Sequence, residues 1–296
     1  MLQIRYFIEY IGLRLALFLL NKLSLQSCEK MAIFFADFWY LFHGSRRRLA
    51  KKNILQSGIA DNKQDAAKIA RESYRQFAIL IFEALKSKEI FNNKDWQKYI
   101  KMDLHPDSMA LLKDTKQGII LVSGHLGNWE IAAQLLSFHK PLAGITKSLH
   151  NPYTNKLLQE LKPKDGLRLT PMHGKDFRRL LAVLKDGEIL ALLIDQHAKG
   201  SASGRGMMID FFGKPASTHT SPALLHLVTG APLCFGYCIR TGLMSYTMKG
   251  LAPISFKPTG NREQDVKTIL KKLTKQLENA IREHPEQYLW AHRRWR

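Results

Sequence analysis

The spacing of apolar and polar positions changes along the chain, and the changes mark out its elements. Between residues 63 and 90, Ala67, Ala70, Tyr74, Phe77, Ile81 and Leu85 recur at helical spacing, which predicts an amphipathic helix. After the polar stretch Asn92-Asn93-Lys94-Asp95 the pattern shifts. Gly118-Ile119-Ile120-Leu121-Val122 is a short, unbroken apolar run and reads as a buried strand. It leads through Ser123 to Glu130 into a helix carrying Ile131, Ala132, Leu135 and Leu136. The order then repeats. Residues 142–146 read as a strand, 152–162 and 175–185 as helices, and 189–194 as a second buried strand entered from the turn Asp186-Gly187. Residues 224–228 read as a helix stopped by Gly230, 232–239 and 245–249 as strands, and 265–282 as a closing amphipathic helix. Strands alternating with helices predict an α/β domain over residues 45–296, with a mainly parallel central sheet flanked by helices.

The first 44 residues carry another pattern. Ile11 to Leu20 is apolar except for Arg14, which is short of the ~20 apolar residues of a spanning helix. Asn21-Lys22-Leu23 follows, with no clustered positive charge ahead and no small-residue cleavage site behind, so a cleaved signal peptide does not fit. An interfacial helix fits better, or a marginal span with Arg14 reaching toward headgroups. The aromatic-rich run 32–42 then stops at Gly44-Ser45 and the cations Arg46, Arg47, Arg48, Lys51 and Lys52. Aromatic rings followed by cations suit a bilayer interface; a buried helix followed by a solvated basic loop is the alternative. Residues 1–44 are therefore expected to form a membrane-associating helical segment.

Charge adds a second constraint. The 45 Lys and Arg against 25 Asp and Glu give a formal net charge of +20, which favours an anionic partner. Nucleic acid is not that partner on this reading, because no recognition module accompanies the charge. Cys28, Cys234 and Cys238 are odd in number and scattered, so they offer neither a disulfide framework nor a zinc site.

Candidate chemistry falls at the junction between the first buried strand and its helix, where open α/β sheets gather their ligands. The segment is Gly124-His125-Leu126-Gly127-Asn128-Trp129-Glu130. Placed mid-helix, His125 and Glu130 would lie about 140° apart, which excludes a metal pair on one helical face. With His125 on the loop and Glu130 in the first helical turn, the carboxylate can hold one ring nitrogen and leave the other basic. Gly124 and Gly127 allow the tight path this needs. A helix cap for His125, and a favourable helix dipole for Glu130, would account for the same residues without catalysis. No GxSxG elbow, P-loop or GxGxxG fingerprint is present.

This segment resembles the HxxxxD/E motif of the bacterial lipid A biosynthesis acyltransferases, the lauroyl and myristoyl transferases. Three later blocks resemble the same family in order: Asp195-Gln196; Phe211 to Thr218 with Pro222-Ala223 and Gly230-Ala231-Pro232; and Pro285 to Arg296. The resemblance spans about residue 45 to the end. It implies a glycerolipid-acyltransferase-like fold at the cytoplasmic face of the bacterial inner membrane. It also implies transfer of a fatty acyl chain from acyl carrier protein, or a coenzyme A thioester, to a hydroxyl of an anionic lipid acceptor. No metal and no cofactor beyond that thioester co-substrate are expected.

On the resemblance, His125 is the general base and Glu130 orients it. The hydroxyl attacks the thioester directly, and the resulting oxyanion needs a donor, for which Arg168 and Lys147 are the candidates. The family has an arginine near position 147, so Lys147 is a departure. Asn128, Trp129, Asp195 and Gln196 are expected to line the substrate cleft, Phe211 and Phe212 to wall an acyl channel, and Arg293 and Arg294 to meet lipid phosphates. The acceptor identity, the acyl length and the oligomeric state are not encoded in these motifs.

Overall fold

The computed structural model describes residues 2–91, 95–146, 149–161, 166–171, 177–198 and 206–295. Four helices come first: α1 (Leu2–Lys22), α2 (Leu25–Phe42), α3 (Gly44–Gln56) and α4 (Lys63–Ile90). The 63–90 periodicity is realised over its full length. Asn62 caps α4 by accepting from the backbone of Gln64 and Asp65. The cations after Gly44 lie on α3, not in a solvated loop.

Then follow β1 (Ile100–Leu104), α5 (Pro106–Lys113), β2 (Ile119–Ser123), α6 (Trp129–His139), β3 (Leu142–Thr146), α7 (Pro152–Glu160), β4 (Leu167–Pro171), α8 (Phe177–Lys185) and β5 (Ile189–Leu193). A hairpin of β6 (Gly206–Phe211) and β7 (Lys214–His219) precedes α9 (Ser221–Thr229), β8 (Leu233–Gly242), β9 (Ser245–Gly250) and α10 (Arg262–Glu283). Gly230 ends α9 at φ 67°, a left-handed cap that glycine adopts without strain.

Among the described residues seven strands form one sheet in the order β1-β9-β8-β2-β5-β3-β4, and the hairpin stands apart. Every neighbouring pair in the sheet is parallel except β8 with β9. The mainly parallel α/β sheet is as the periodicity predicts. Alternation divides its centre between two cores. Ile120, Val122, Leu190 and Leu192 enter the larger one with Leu270, Leu273 and Leu277 of α10, while Ile119 and Ile189 meet Ile131 and Leu135 of α6.

α2 is fixed to the body by charge as well as packing. Asp37 takes paired bonds from both Arg71 and Arg75 of α4, and these guanidiniums hold its carboxyl well below the usual carboxylate range. Arg240 of β8 reaches Glu29 of α2 and the buried Glu83 of α4. Among the described residues no helix is long and apolar enough to cross a membrane. α1 and α2 nevertheless expose large apolar side chains, Phe7, Leu15 and Phe18 on the first and Phe34, Phe38 and Phe42 on the second.

Candidate active site

β2 and β5 are adjacent, parallel and in register, with Ser123 opposite Leu193. Two residues beyond each of those positions stand His125 and Asp195, so the register carries the two side chains together. Asp195 is fully buried. Its Oδ1 lies 2.8 Å from His125 Nδ1, and its Oδ2 accepts the His125 backbone N–H at 2.9 Å. Nε2 of the ring lies 3.3 Å from the Gln196 amide nitrogen, at the mouth of a cavity.

The hydrogen-bonding partner of Nδ1 is therefore Asp195, where the HxxxxE spacing pointed to Glu130. The cause is local. Gly127, at φ 62°, approaches the Cys238 carbonyl so closely that a Cβ there would lie 2.0 Å from it. Asn128 donates its N–H to the same carbonyl and caps α6 by accepting from Ile131, which starts the helix at Trp129. Glu130 sits in the first turn, lines the same cavity, and acts on the ring through its charge. Burial lowers the proton affinity of His125, but the charge and hydrogen bond of Asp195 and the charge of Glu130 outweigh it and hold the ring above its ordinary value. Burial likewise opposes ionisation of Asp195, and His125 overcomes it, holding that carboxyl below the usual range.

The cavity, about 520 Å³, runs from His125 between the sheet and α6. Small residues make the space: Gly144, Ala191 and Gly236 on the strands face Ala132 and Ala133 on the helix. Leu121, Leu136, Leu142 and Leu167 complete an apolar lining, and the polar groups Ser123, Glu130, Gln196, His219 and Ser221 also face it. Such a shape accepts an apolar chain and ends it at a base. Among the described residues no group of His, Cys, Asp or Glu is placed to hold a metal.

Other predicted site residues separate into several fates. Trp129 packs edge-on against the His125 ring at 4.8 Å and lines the cavity. Asn128 is buried, and its side chain is spent on the α6 cap and Glu83. Arg168 does not reach the cleft: it lies near the opposite, amino-terminal end of β4 and pairs with Glu188. Lys147 lies outside the described residues. Phe211 and Phe212 are core, not channel, packing against each other, Trp295 and Trp290. Arg293 is exposed.

Arg294 corrects the expectation of a phosphate ligand. It is 2% exposed, lies over the Phe211 ring, and donates to the Ser217 and Gln196 carbonyls and the Thr218 hydroxyl. It belongs to a carboxyl-terminal strap, the last of the family-like blocks, for which the sequence suggested lipid phosphates and not a bracing role. Leu289 donates its N–H to the His125 carbonyl, and His292 has Nε2 2.8 Å from the Asp195 carbonyl and Nδ1 2.7 Å from that of Leu289. Asn53 of α3 holds the strap by donating to the Trp290 and His292 carbonyls. The strap thus fixes the backbone behind both members of the pair. Arg294→Ala strands three acceptors and opens a void, so a loss of about 3 kcal/mol is expected. A urea midpoint unchanged from wild type would contradict this.

Register, a carboxylate-held imidazole and an apolar cavity together make an α/β site in which one imidazole nitrogen is held by a buried carboxylate and the ring faces an apolar recess. The family model described as bacterial lipid A biosynthesis acyltransferase matches residues 1–296, and the chain belongs to that family. It is 28% identical over 205 residues to the lipid A biosynthesis lauroyltransferase of Escherichia coli (strain K12), a match covering 68% of this chain and 62% of that protein. It is 24% identical over 269 residues to a lipid A biosynthesis acyltransferase of Haemophilus influenzae, covering 87% and 81%. A phosphatidylinositol mannoside acyltransferase of Mycobacterium tuberculosis is 23% identical over 182 residues, covering 60% and 54%.

Proposed function

We propose that this chain transfers a fatty acyl group from acyl carrier protein, or from a coenzyme A thioester, to a hydroxyl of a lipid A precursor at the cytoplasmic face of the inner membrane. The observation that carries this reading is half-buried His125 held by buried Asp195 at the mouth of an apolar cavity, in a chain that belongs to this family. The donor's acyl chain fills the cavity between the sheet and α6, which brings the thioester carbonyl to the mouth. His125 Nε2 takes the proton of the acceptor hydroxyl while Asp195 holds Nδ1 and stabilises the imidazolium that forms. The oxygen then attacks the thioester carbon, the tetrahedral intermediate collapses, and the thiolate leaves with the proton held by His125. No enzyme-bound acyl group forms.

The net charge of +20 suits both partners, an acidic carrier protein and a phosphate-bearing lipid. The exposed apolar stripe of α1, which includes Ile4, Phe7, Ile8, Ile11, Leu15 and Phe18, supports an interfacial position for the amino-terminal helices. A second acceptor class, a phosphatidylinositol mannoside, is favoured only by the name of the mycobacterial relative.

The purified chain, incubated with acyl carrier protein thioester or acyl-CoA and each lipid acceptor in turn, tests the reading. The expected product is an acylated lipid A precursor; acylation of the mannoside alone would transfer the reading to the second class.

A pH dependence follows from the raised His125. A base works unprotonated, so kcat/KM falls as pH drops through a value above the ordinary ~6.5 of histidine. Glu130→Gln removes one of the charges that raise the ring and leaves the Asp195 hydrogen bond in place. Its acidic limb is expected to move to lower pH. A limb left unmoved would show that the Glu130 charge does not act on the base.

A further inference from the structure

A second apolar recess adjoins the catalytic loop at Trp129 and Leu289. It lies between α2 and α4, about 720 Å³, within the ~300–1,000 Å³ of small-molecule sites. Its lining is aromatic and aliphatic, with Phe34, Phe38 and Trp39 on α2 facing Phe77 and Ile81 on α4. All five of these side chains are exposed, from 36% for Phe77 to 65% for Phe34. Two contacts join the groove to His125. Phe77 stacks on Trp129 at 6.1 Å, and Trp129 meets the His125 ring. Leu289, which also lines the groove, donates its N–H to the His125 carbonyl.

We propose that this groove binds the hydrocarbon chains of the lipid acceptor, while the cavity beside α6 takes the chain of the donor. The proposal rests on the acyl-transfer reading above. A single base must serve two chain-bearing substrates, and the donor's chain occupies the recess on one side of His125. The acceptor then needs an apolar site of its own, close enough to deliver a hydroxyl past Trp129 to Nε2. The α2–α4 groove is apolar, of suitable volume and separated from the base by one indole ring. Arg46 stands at its lining with one nitrogen bonded to the Ala291 carbonyl, which leaves guanidinium donors for an anionic headgroup.

The test uses the full-length protein in detergent micelles. Ala78, half-buried on the groove wall, is replaced by Trp to fill the space; Ile81→Gln, at an exposed position, is the second variant should the first fail to fold. The expected result is an acceptor KM raised at least about tenfold, the effect of excluding roughly two methylenes, with the donor KM within about twofold of wild type. A phosphatidic acid carrying a diazirine in its acyl chain provides the binding readout. Its adducts are expected on the facing sides of α2 and α4 and reduced in Ala78→Trp. Adducts spread equally over Phe7 and Phe18 of α1 and undiminished by Ala78→Trp would make the groove a bilayer contact and overturn the proposal. So would unchanged acceptor KM in both variants. Groove adducts on a wild-type protein that transfers no acyl chain would remove the acceptor role together with the acyl-transfer reading, a result distinct from both.

Discussion

His125→Ala is expected to lower kcat/KM for acyl transfer by about a thousandfold, within the 10²–10⁴ that a positioned general base contributes. The acceptor hydroxyl is a poor nucleophile while it keeps its proton, and no other group described at the cavity mouth is held by a buried carboxylate as His125 is. The fold should persist. His125 is held in the backbone by the Asp195 carboxylate and the Leu289 N–H, and neither bond uses the imidazole. A cooperatively folded protein, with a midpoint lowered by the loss of the Asp195 partner, and transfer lost is the expected pair of measurements. Near-wild-type transfer by the folded variant would remove His125 from the chemistry.

Asp195→Asn is the second large effect, about a hundredfold or more in kcat/KM. Asp195 uses both oxygens as acceptors, one for the ring Nδ1–H and one for the His125 backbone N–H. An amide has one oxygen. If that oxygen keeps the backbone bond, the NH₂ faces Nδ1 and selects the wrong tautomer; if it keeps the ring, a donor faces a donor. The negative charge that favours the imidazolium is lost in either case. Glu130→Gln leaves both bonds intact and should be clearly milder than Asp195→Asn when kcat/KM is compared at one pH. The reverse order would return the orienting role to Glu130.

The difference between these two carboxylates shows what periodicity could and could not reveal. Apolar runs at 119–122 and 189–193 announce buried parallel strands, because both faces of a central strand are covered. The pairing of β2 with β5 is not written in either run, and it alone brings Asp195 to His125 across 70 residues of chain. The signal that was available is positional: each residue closely follows an apolar run, His125 three residues after Val122 and Asp195 directly after Ile194. Glu130 is near in sequence and therefore conspicuous, but the Gly127 turn and the Asn128 cap decide where its side chain goes.

Other elements were illegible for ordinary reasons. β1 at one edge of the sheet reads Ile-Lys-Met-Asp-Leu, with polar residues on alternate positions, and its run is too short to stand out. β4 at the other edge is equally short. The hairpin β6–β7 mixes apolar residues with Asp210, Lys214 and Pro215 because only part of it is covered. Arg168 was a candidate oxyanion donor for the mechanism the resemblance implies, and only the strand direction puts it at the far end of the sheet. Arg294 misled in the opposite sense. A cation beside tryptophans near the chain's end suggested a phosphate contact, yet its guanidinium is buried and braces the loop that carries Asp195.

The central claim is that His125, held by Asp195, is the base for acyl transfer to a membrane lipid, and the most direct test is the lipid inventory of the cell. Lipids from cells lacking this chain are compared by mass spectrometry with those from cells regaining it as wild type, His125→Ala or Asp195→Asn at equal abundance. The account predicts that the wild-type chain adds the mass of one acyl group to a lipid A species, that His125→Ala adds none, and that Asp195→Asn adds little. The same added mass with His125→Ala as with wild type would contradict it.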